Sequence, residues 1–508
     1  MSKKRLRLSC LRVSHTVSLL TIWLLAKSPA EQQITTVAGT GVRGYSGDGG
    51  PGIAAQINDP FGVIVGPEGD IYFCDTKNHV IRRVSRKDGS IDTVVGSGEK
   101  GYSGDGEGPL SIAMNEPYEI RFHRNGDLYW VEMMNHVVRR LDARTNLVST
   151  IAGTGIAGFS GDGGPAKNAE LNRPHSIQFN AEGTELLICD IKNHRLRKVD
   201  LASGIISTWC GNGQRQPTED GAIVSPETPL NGPRALDLSP TGDLWLALRE
   251  GNQAFRINRD TSRLEHIAGT GKKGFHVESR PALESELSGP KGLAFSPDGQ
   301  AVYLADTESH TVRAIRLDRE MPTLELIAGT GRKGDGPGEG SPLDCAMARL
   351  HGVGTDPVSG DLYIGDSEAH RVRRVTGLPR QAARRSLGDY STSEFEIAGA
   401  KGRVVVPERA APGNPWIWRC RFFGAFPSVD EALLEKGWHV VSVDVANLFG
   451  GPEAMSRFDA TYQMVTRKFE LSDRVVLEGF SRGGLPAINW ALLHPERVAG
   501  IYLDAPVL

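Results

Sequence analysis

At 508 residues the chain is longer than one hydrophobic core ordinarily supports, so at least two folding units are expected. A formal net charge of -3 with 23% charged residues leaves no basic stripe, which excludes nucleic acid as a partner. The 61 glycines follow no three-residue period, which excludes collagen and points to many tight turns in a β-rich protein.

The first thirty residues fall into a basic opening (Lys3, Lys4, Arg5, Arg7, Arg12), an apolar run from Val17 to Ala26 and a small-residue segment ending at Ala30. This is the anatomy of a signal peptide, assigned here to residues 1–30. The apolar run is about ten residues long, where a bilayer span needs about twenty, so no integral membrane span is expected. The remainder is expected to be exported and soluble, secreted or periplasmic. Cys10 would leave with the peptide. Cys74 and Cys189 hold equivalent places in YFCD and LICD, so the remaining thiols are expected to be small buried residues rather than a disulfide framework.

From residue 34 onward a phrase recurs: AGTG at Ala38, VGSG at Val95, AGTG at Ala152, CGNG at Cys210, AGTG at Ala268 and AGTG at Ala328, spaced by 57, 57, 58, 58 and 60 residues. A second phrase keeps step, running DTKNHVIRRV from Asp75, EMMNHVVRRL from Glu132, DIKNHRLRKV from Asp190, LREGNQAFRI from Leu248, DTESHTVRAI from Asp306 and DSEAHRVRRV from Asp366. Self-similarity at a fixed period marks a repeat architecture. Within one unit FGVIVG, IYFCD, HVIRRV and IDTVVG alternate with turn residues, which predicts four strands per unit and hence a β-propeller. Inner strands are expected at Phe61, Tyr118, His175, Arg234, Lys291 and His351. The sixth unit lacks a fourth strand, and ITTVAG at 34–39 is expected to supply it, closing six blades with no exposed edge.

The NH-bearing phrase and the loops GYSGDGG, GYSGDGEG and GFSGDGG resemble those of the NHL-repeat propellers over residues 34–377. The resemblance weakens in unit four, where Asn252 and Gln253 stand at the NH place, and in units five and six, with Ser309-His310 and Ala369-His370. It implies a six-bladed binding platform, although some relatives are enzymes. The expected partner is an unknown protein, peptide or saccharide ligand on the face that carries the NH turns and the Gly-rich loops.

No cofactor or metal is expected. His79, His136, His194, His310 and His370 could be taken for metal ligands, but a residue repeated once per unit serves the unit, whereas zinc needs three or four convergent ligands. His15, His123, His175, His266, His276 and His351 show no ligand spacing. Asp48, Asp105 and Asp162 give each Gly-rich loop one carboxylate, too few for calcium, so a turn-forming role is expected. Arg82, Arg83, Arg139, Arg140, Arg197, Arg256, Arg313 and Arg373 are read as a face that is solvated or paired with acids of neighbouring units.

Beyond Gly377 the pattern gives way to LPRQAARRSLGDYSTS, read as a linker over 378–392. Residues 393–508 then alternate strands (GRVVVPE, PWIWRCRFF, WHVVSVDV, DRVVLEGF, AGIYLDAPV) with helical stretches, which predicts a mainly parallel sheet covered on both faces. Between DRVVLEGF and the helix GLPAINWALL stands GFSRGG, a G-x-S-x-G phrase in strand-to-helix context. The region resembles the N-terminal half of an α/β-hydrolase domain. The fold class is therefore multidomain: an all-β six-bladed propeller plus a partial three-layer hydrolase-like domain. The resemblance implies Ser481 as nucleophile and an oxyanion site from the Arg482 amide with Gly424 or Phe423. In that family the acid and the base follow the serine. Asp504 and His494 stand after Ser481, but His494 is read as a helix-terminal residue, so the acid and base half of the triad is expected to be missing from this chain. The alternative is a non-catalytic binding or scaffold propeller with an inactive hydrolase remnant.

Overall fold

Alternation at the level of single residues builds each blade. In the first, Ile71 and Phe73 face one neighbour and pack with Val63, Val84 and Ile91, while Cys74 faces the other and packs with Ile81 and Val95. The strands Pro60–Val65, Ile71–Asp75, Val80–Val84 and Ile91–Val95 pair antiparallel in that order. The computed structural model describes residues 32–319, 321–379, 387, 390–421, 423, 428–446 and 448–504. Residues 1–30 and Gly424 lie outside them.

Six such blades form a mostly β propeller. Five are continuous in sequence. The sixth combines Val353–Thr355, Leu362–Asp366 and Arg371–Thr376 with Gln33–Ala38, whose Ile34 lies opposite Val375. Ala38 and Ile57 bury with Tyr363 and Val372 beside Val63 and Phe73, so apolar packing seals the junction between the last blade and the first. Near the axis the inner strands converge closely. A Cβ at Gly292 would stand 2.5 Å from the His351 carbonyl oxygen, and one at Gly352 2.4 Å from that of Phe61, so these positions exclude any side chain.

The chain divides at Pro379 and Arg380 into two units. The second unit contains strands β1 (Ser391–Ile397), β2 (Ala400–Val406), β3 (Trp416–Arg419), β4 (His439–Val443), β5 (Val475–Phe480) and β6 (Val498–Asp504), with helices α1 (Ser428–Glu435), α2 (Pro452–Lys468) and α3 (Gly484–Leu493). They form one sheet in the order β1-β2-β4-β3-β5-β6. The β1–β2 and β2–β4 pairs are antiparallel and the remaining three parallel. One face packs Trp416 and Trp418 against Phe458 of α2 and Trp490 of α3, and the other packs Ile417 and Val440 against Leu434 of α1. Strand β1 begins inside the stretch read as linker, and Tyr390 just before it is buried. Among the described residues no helix is long and apolar enough to cross a membrane.

Candidate functional site

The repeated histidines end short 3-10 turns in the left-handed conformation, with φ of 58° at His79, 55° at His136, 48° at His194, 59° at His310 and 51° at His370. Four of them tie one blade to the next. Nδ1 of His79, His136, His310 and His370 accepts the backbone N–H of Glu116, Arg173, Arg349 and Asp59, at 3.2, 3.0, 3.1 and 3.3 Å. His194 makes no such bond through its buried Nδ1. Burial holds all five imidazoles below their ordinary pKa, which keeps Nδ1 of the four an acceptor. Blade four corrects the sequence alignment: Asn252, at φ 49°, and not Gln253 is the histidine's equivalent. Its Oδ1 accepts from Gly289 N at 2.9 Å, so an amide oxygen makes the same tie. Among the described residues no group of three or more His, Cys, Asp or Glu is placed to hold a metal ion.

Of the third-strand arginines, Arg83, Arg140 and Arg256 are part-exposed, and the other five differ from the sequence reading. Arg82, Arg139, Arg197, Arg313 and Arg373 are wholly buried, not solvated. Four pair with the acid ending the preceding strand of their own blade: Arg82 with Asp75 at 3.7 Å, Arg139 with Glu132 at 3.6 Å, Arg197 with Asp190 at 3.6 Å and Arg373 with Asp366 at 2.7 Å. The Gly-rich loop supplies the second partner, Asp48 for Arg82, Asp105 for Arg139, Asp162 for Arg197 and Asp335 for Arg373. An aromatic ring from the same loop covers the guanidinium, with Tyr102 4.9 Å from Arg139 and Phe159 4.9 Å from Arg197. The loop aspartates thus anchor loop to blade. The thiols of Cys74, Cys189, Cys210, Cys345 and Cys420 are free and buried.

What does not repeat lies on the axis. Phe61, Tyr118, His175, Arg234, Lys291 and His351 occupy one equivalent position per blade at the start of the inner strands, and all six are buried. Phe61 stacks on His351 with centroids 4.0 Å apart, and Tyr118 meets His175 edge-on at 4.4 Å. Arg234 lies over the Tyr118 ring and donates to its hydroxyl. Lys291 Nζ is 3.1 Å from His351 Nε2 and 3.4 Å from Glu308, and His351 Nδ1 is 2.9 Å from Ser367 Oγ. Burial, then the charges of Arg234 and Arg349, push Lys291 down to about 7. Burial also holds His175 and His351 neutral. Against its own burial, Arg349 and Lys291 hold Glu308 at about 2. Further along the axis a cavity of about 220 Å³ is lined by Arg121, Phe122, Gln178, Asp237, Leu293 and Thr355 among others. The sequence signal for the axial cluster is a proline followed by a changing residue: Pro60-Phe61, Pro117-Tyr118, Pro174-His175, Pro233-Arg234 and Pro290-Lys291. A position that varies inside a strict repeat has been released from serving the blade.

In the second unit Ser481 stands between β5 and α3 with φ 49°, a strained value for a residue with a side chain. Its flanking glycines permit the turn. A Cβ at Gly479 would lie 2.7 Å from the Gly484 backbone, and one at Gly483 3.1 Å from Arg421 Cβ. Ser481 is half-buried and Arg482 exposed. Gly424 lies outside the described residues, while Phe423 is half-buried beneath Arg403 at 4.8 Å. His494 sits past the far end of α3, with Nε2 2.8 Å from Asp459, which also accepts from Trp490 Nε1 at 3.0 Å. The helix therefore separates His494 from Ser481. Beneath the turn, buried Arg419 of β3 joins Asp430 of α1 to Glu478 of β5, the latter at 3.2 Å. That ion cluster ties three elements together and was not legible in the sequence.

Six blades of four main strands, two of them extended by a two-residue fifth strand, repeated NH turns and a closing N-terminal strand define an NHL/SGL-type β-propeller protein. Residues 106–376, more than half of the chain, match the SMP-30/Gluconolactonase/LRE-like region, and the chain belongs to that family. It is 26% identical over 286 residues to Protein SUPPRESSOR OF QUENCHING 1, chloroplastic, of Arabidopsis thaliana, covering 54% of this chain and 26% of that one. To NHL repeat-containing protein 2 of Homo sapiens it is 25% identical over 364 residues, covering 63% and 49%. The chain thus spans about half or less of the length of these curated relatives. Among solved structures, virginiamycin B lyase from Staphylococcus aureus aligns at 13% identity and a TM-score of 0.38, covering 63% of this chain and 95% of that one.

Proposed function

We propose that the chain is an exported propeller protein in which an SGL/NHL-type binding platform is fused to a serine-hydrolase unit of the esterase or peptidase type, with Ser481 as nucleophile. Export is supported by the basic, apolar and small-residue order of residues 1–30. The observation that carries the hydrolase reading is Ser481 itself: a non-glycine residue at φ 49° on a sharp strand-to-helix turn, flanked by Gly479, which has no room for a side chain, and by Gly483, which is tightly packed. The parallel strands around β5 support it, because such a turn then presents Ser481 at the carboxyl edge of the sheet and at a helix N-terminus, where backbone N–H groups stabilise developing negative charge. In this reading the Ser481 hydroxyl adds to an ester or amide carbonyl, with the Arg482 amide and Gly424 donating to the oxyanion; the alcohol or amine is expelled carrying the hydroxyl proton, and water then releases the acid from the acyl-serine. The propeller would hold the substrate or a protein, peptide or saccharide partner.

The test is fluorophosphonate labelling of the full-length protein from its native source. Labelling at Ser481 that disappears in Ser481→Ala sustains the proposal. Absence of labelling in folded protein removes it and leaves the second reading, a non-catalytic propeller scaffold. That reading draws on His494, which is engaged by Asp459 at the far end of α3 and is not placed to activate the serine.

A further inference from the structure

The axis carries a buried positive charge with no carboxylate within ion-pair distance among the described residues. Buried charges are ordinarily paired, because an isolated one loses its hydration without compensation. Four arginines of the blade cores obey that rule, with two acids each around Arg82, Arg139, Arg197 and Arg373. Arg234 does not, and neither does Arg313 in blade five. Arg234 is 8% exposed and no described carboxylate lies within ion-pair distance of it. Its contacts are the Tyr118 hydroxyl and ring face, both uncharged. One position along the ring, Lys291 is 4% exposed and has Glu308 at 3.4 Å, but that carboxylate is shared with Arg349 at 2.9 Å and Arg249 at 3.5 Å. Arg249 and Arg349 have second acids in Glu250 and Glu368, so Lys291 depends on the shared Glu308, and Arg234 has only the more distant charge of Glu119.

We propose that this end of the propeller axis is a carboxylate-binding site, in which Arg234 and Lys291 take the carboxylate of a small organic acid and Tyr118, His175 and His351 frame it. The planar guanidinium suits a bidentate carboxylate, and its stacking on Tyr118 fixes its orientation beforehand. The stacked Phe61–His351 pair and the His351–Ser367 contact hold the wall on the Lys291 side. The neighbouring cavity, lined by Tyr118, Glu119, Lys291 and His351, has about 10 Å³, room for about one water. Buried Glu119, paired with Arg121, lines the same small cavity, and burial raises it to about 7.

The inference rests on the propeller acting as a binding module and is independent of Ser481. The experiment is calorimetric titration of the full-length protein with acetate, with acetamide and with inorganic phosphate. Saturable acetate binding at pH 6, no binding of acetamide and at least a tenfold loss of acetate affinity in Arg234→Gln, with an unchanged circular-dichroism spectrum, are the expected results. The groups facing Lys291 are Arg234, Arg249, Arg349, Glu308, His351, His175 and Glu119, and both Lys291 and Glu119 titrate near neutrality, at about 7. Acetate affinity in the parent protein should therefore fall several-fold between pH 6 and pH 8, and that fall should shrink in Lys291→Met to the part that Glu119 contributes. This arm decides the matter if Arg234→Gln does not fold. Equal binding of acetamide, preference for phosphate, or acetate binding indifferent to both substitutions would overturn the assignment. Fluorophosphonate labelling of the same sample keeps failure here distinct from failure of the hydrolase reading.

Discussion

Blade four and the other five solve one packing problem in two ways. In blades one, two, three and six an acid at the end of the second strand meets a buried arginine two residues into the third, and blade five keeps the same residue types in Asp306 and Arg313. Blade four has Leu248 and Phe255 at these positions, both fully buried in an apolar cluster with Leu230 and Leu246. Both partners have changed together, as physical chemistry requires, because either charge alone would be stranded in the interior. The backbone has been compensated as well. Asp190 accepts from Asn172 N at 2.7 Å, whereas the equivalent Asn231 N donates to the hydroxyl of Thr218 at 3.3 Å. The ion pair is thus one interchangeable way to fill a blade, and the lost acceptor has to be replaced from elsewhere.

The largest effect should come from breaking the pair in one blade. Asp190→Leu strands Arg197 beside Asp162 alone and removes the acceptor for Asn172 N and for Asn193 Nδ2, which lies 2.7 Å from Asp190. A loss of about 3–5 kcal/mol is expected, read as a fall in the denaturation midpoint of the full-length protein. Adding Arg197→Phe, which recreates the blade-four pair, should recover most of it and leave about 1–3 kcal/mol for the orphaned Asn172 N–H. No recovery in the double variant would show that blade four differs in more than this pair.

A smaller effect separates the two kinds of blade by pH. Burial raises Asp75 to about 7 and Asp190, Asp306 and Asp366 to about 6, despite the hydrogen bonds each accepts. A raised folded-state pKa means that the folded protein binds the proton more tightly than the unfolded chain. The associated stability is fully present below the unfolded pKa, near 4, and is lost as pH rises through 6 to 7. The melting temperature should therefore fall between pH 4 and pH 8, and the fall should be shallower in Asp190→Leu/Arg197→Phe. Equal slopes would show that Asp190 is ionised throughout this range.

The blade count was legible because the period is written in residues that cannot vary: glycines at left-handed turns and apolar residues facing both neighbours. The partners of the arginines were less legible. Sequence alternation shows that Arg82 points into a blade, but only the hairpin register, with Asp75 opposite Val80, brings it to Asp75 rather than to the next blade. The alignment of blade four slipped by one residue because Asn252 and the histidines share only a backbone conformation and an acceptor atom, not a letter. The axial cluster was hidden for the opposite reason: its six positions were located, but their side chains share no pattern, and His175 and His351 meet Arg234 and Lys291 only when the ring closes. The Ser481 turn was legible in its glycines, whereas the Arg419–Asp430–Glu478 cluster beneath it joins residues from three separate elements.

The smallest effect tests whether the blade-joining tie depends on the imidazole or on its acceptor atom. His310 at φ 59° gives Nδ1 to Arg349 N at 3.1 Å, and Asn252 at φ 49° gives Oδ1 to Gly289 N at 2.9 Å. Both residue types tolerate the left-handed region better than others do, and both present an acceptor within reach of the next blade. His310→Ala should cost about 1–2 kcal/mol, from the lost hydrogen bond and an alanine in a left-handed position. His310→Asn should cost less than about half of that, measured by the same denaturation midpoint. If asparagine were as damaging as alanine, ring packing rather than the acceptor would be what the histidine supplies, and blade four would need another explanation for holding its neighbour.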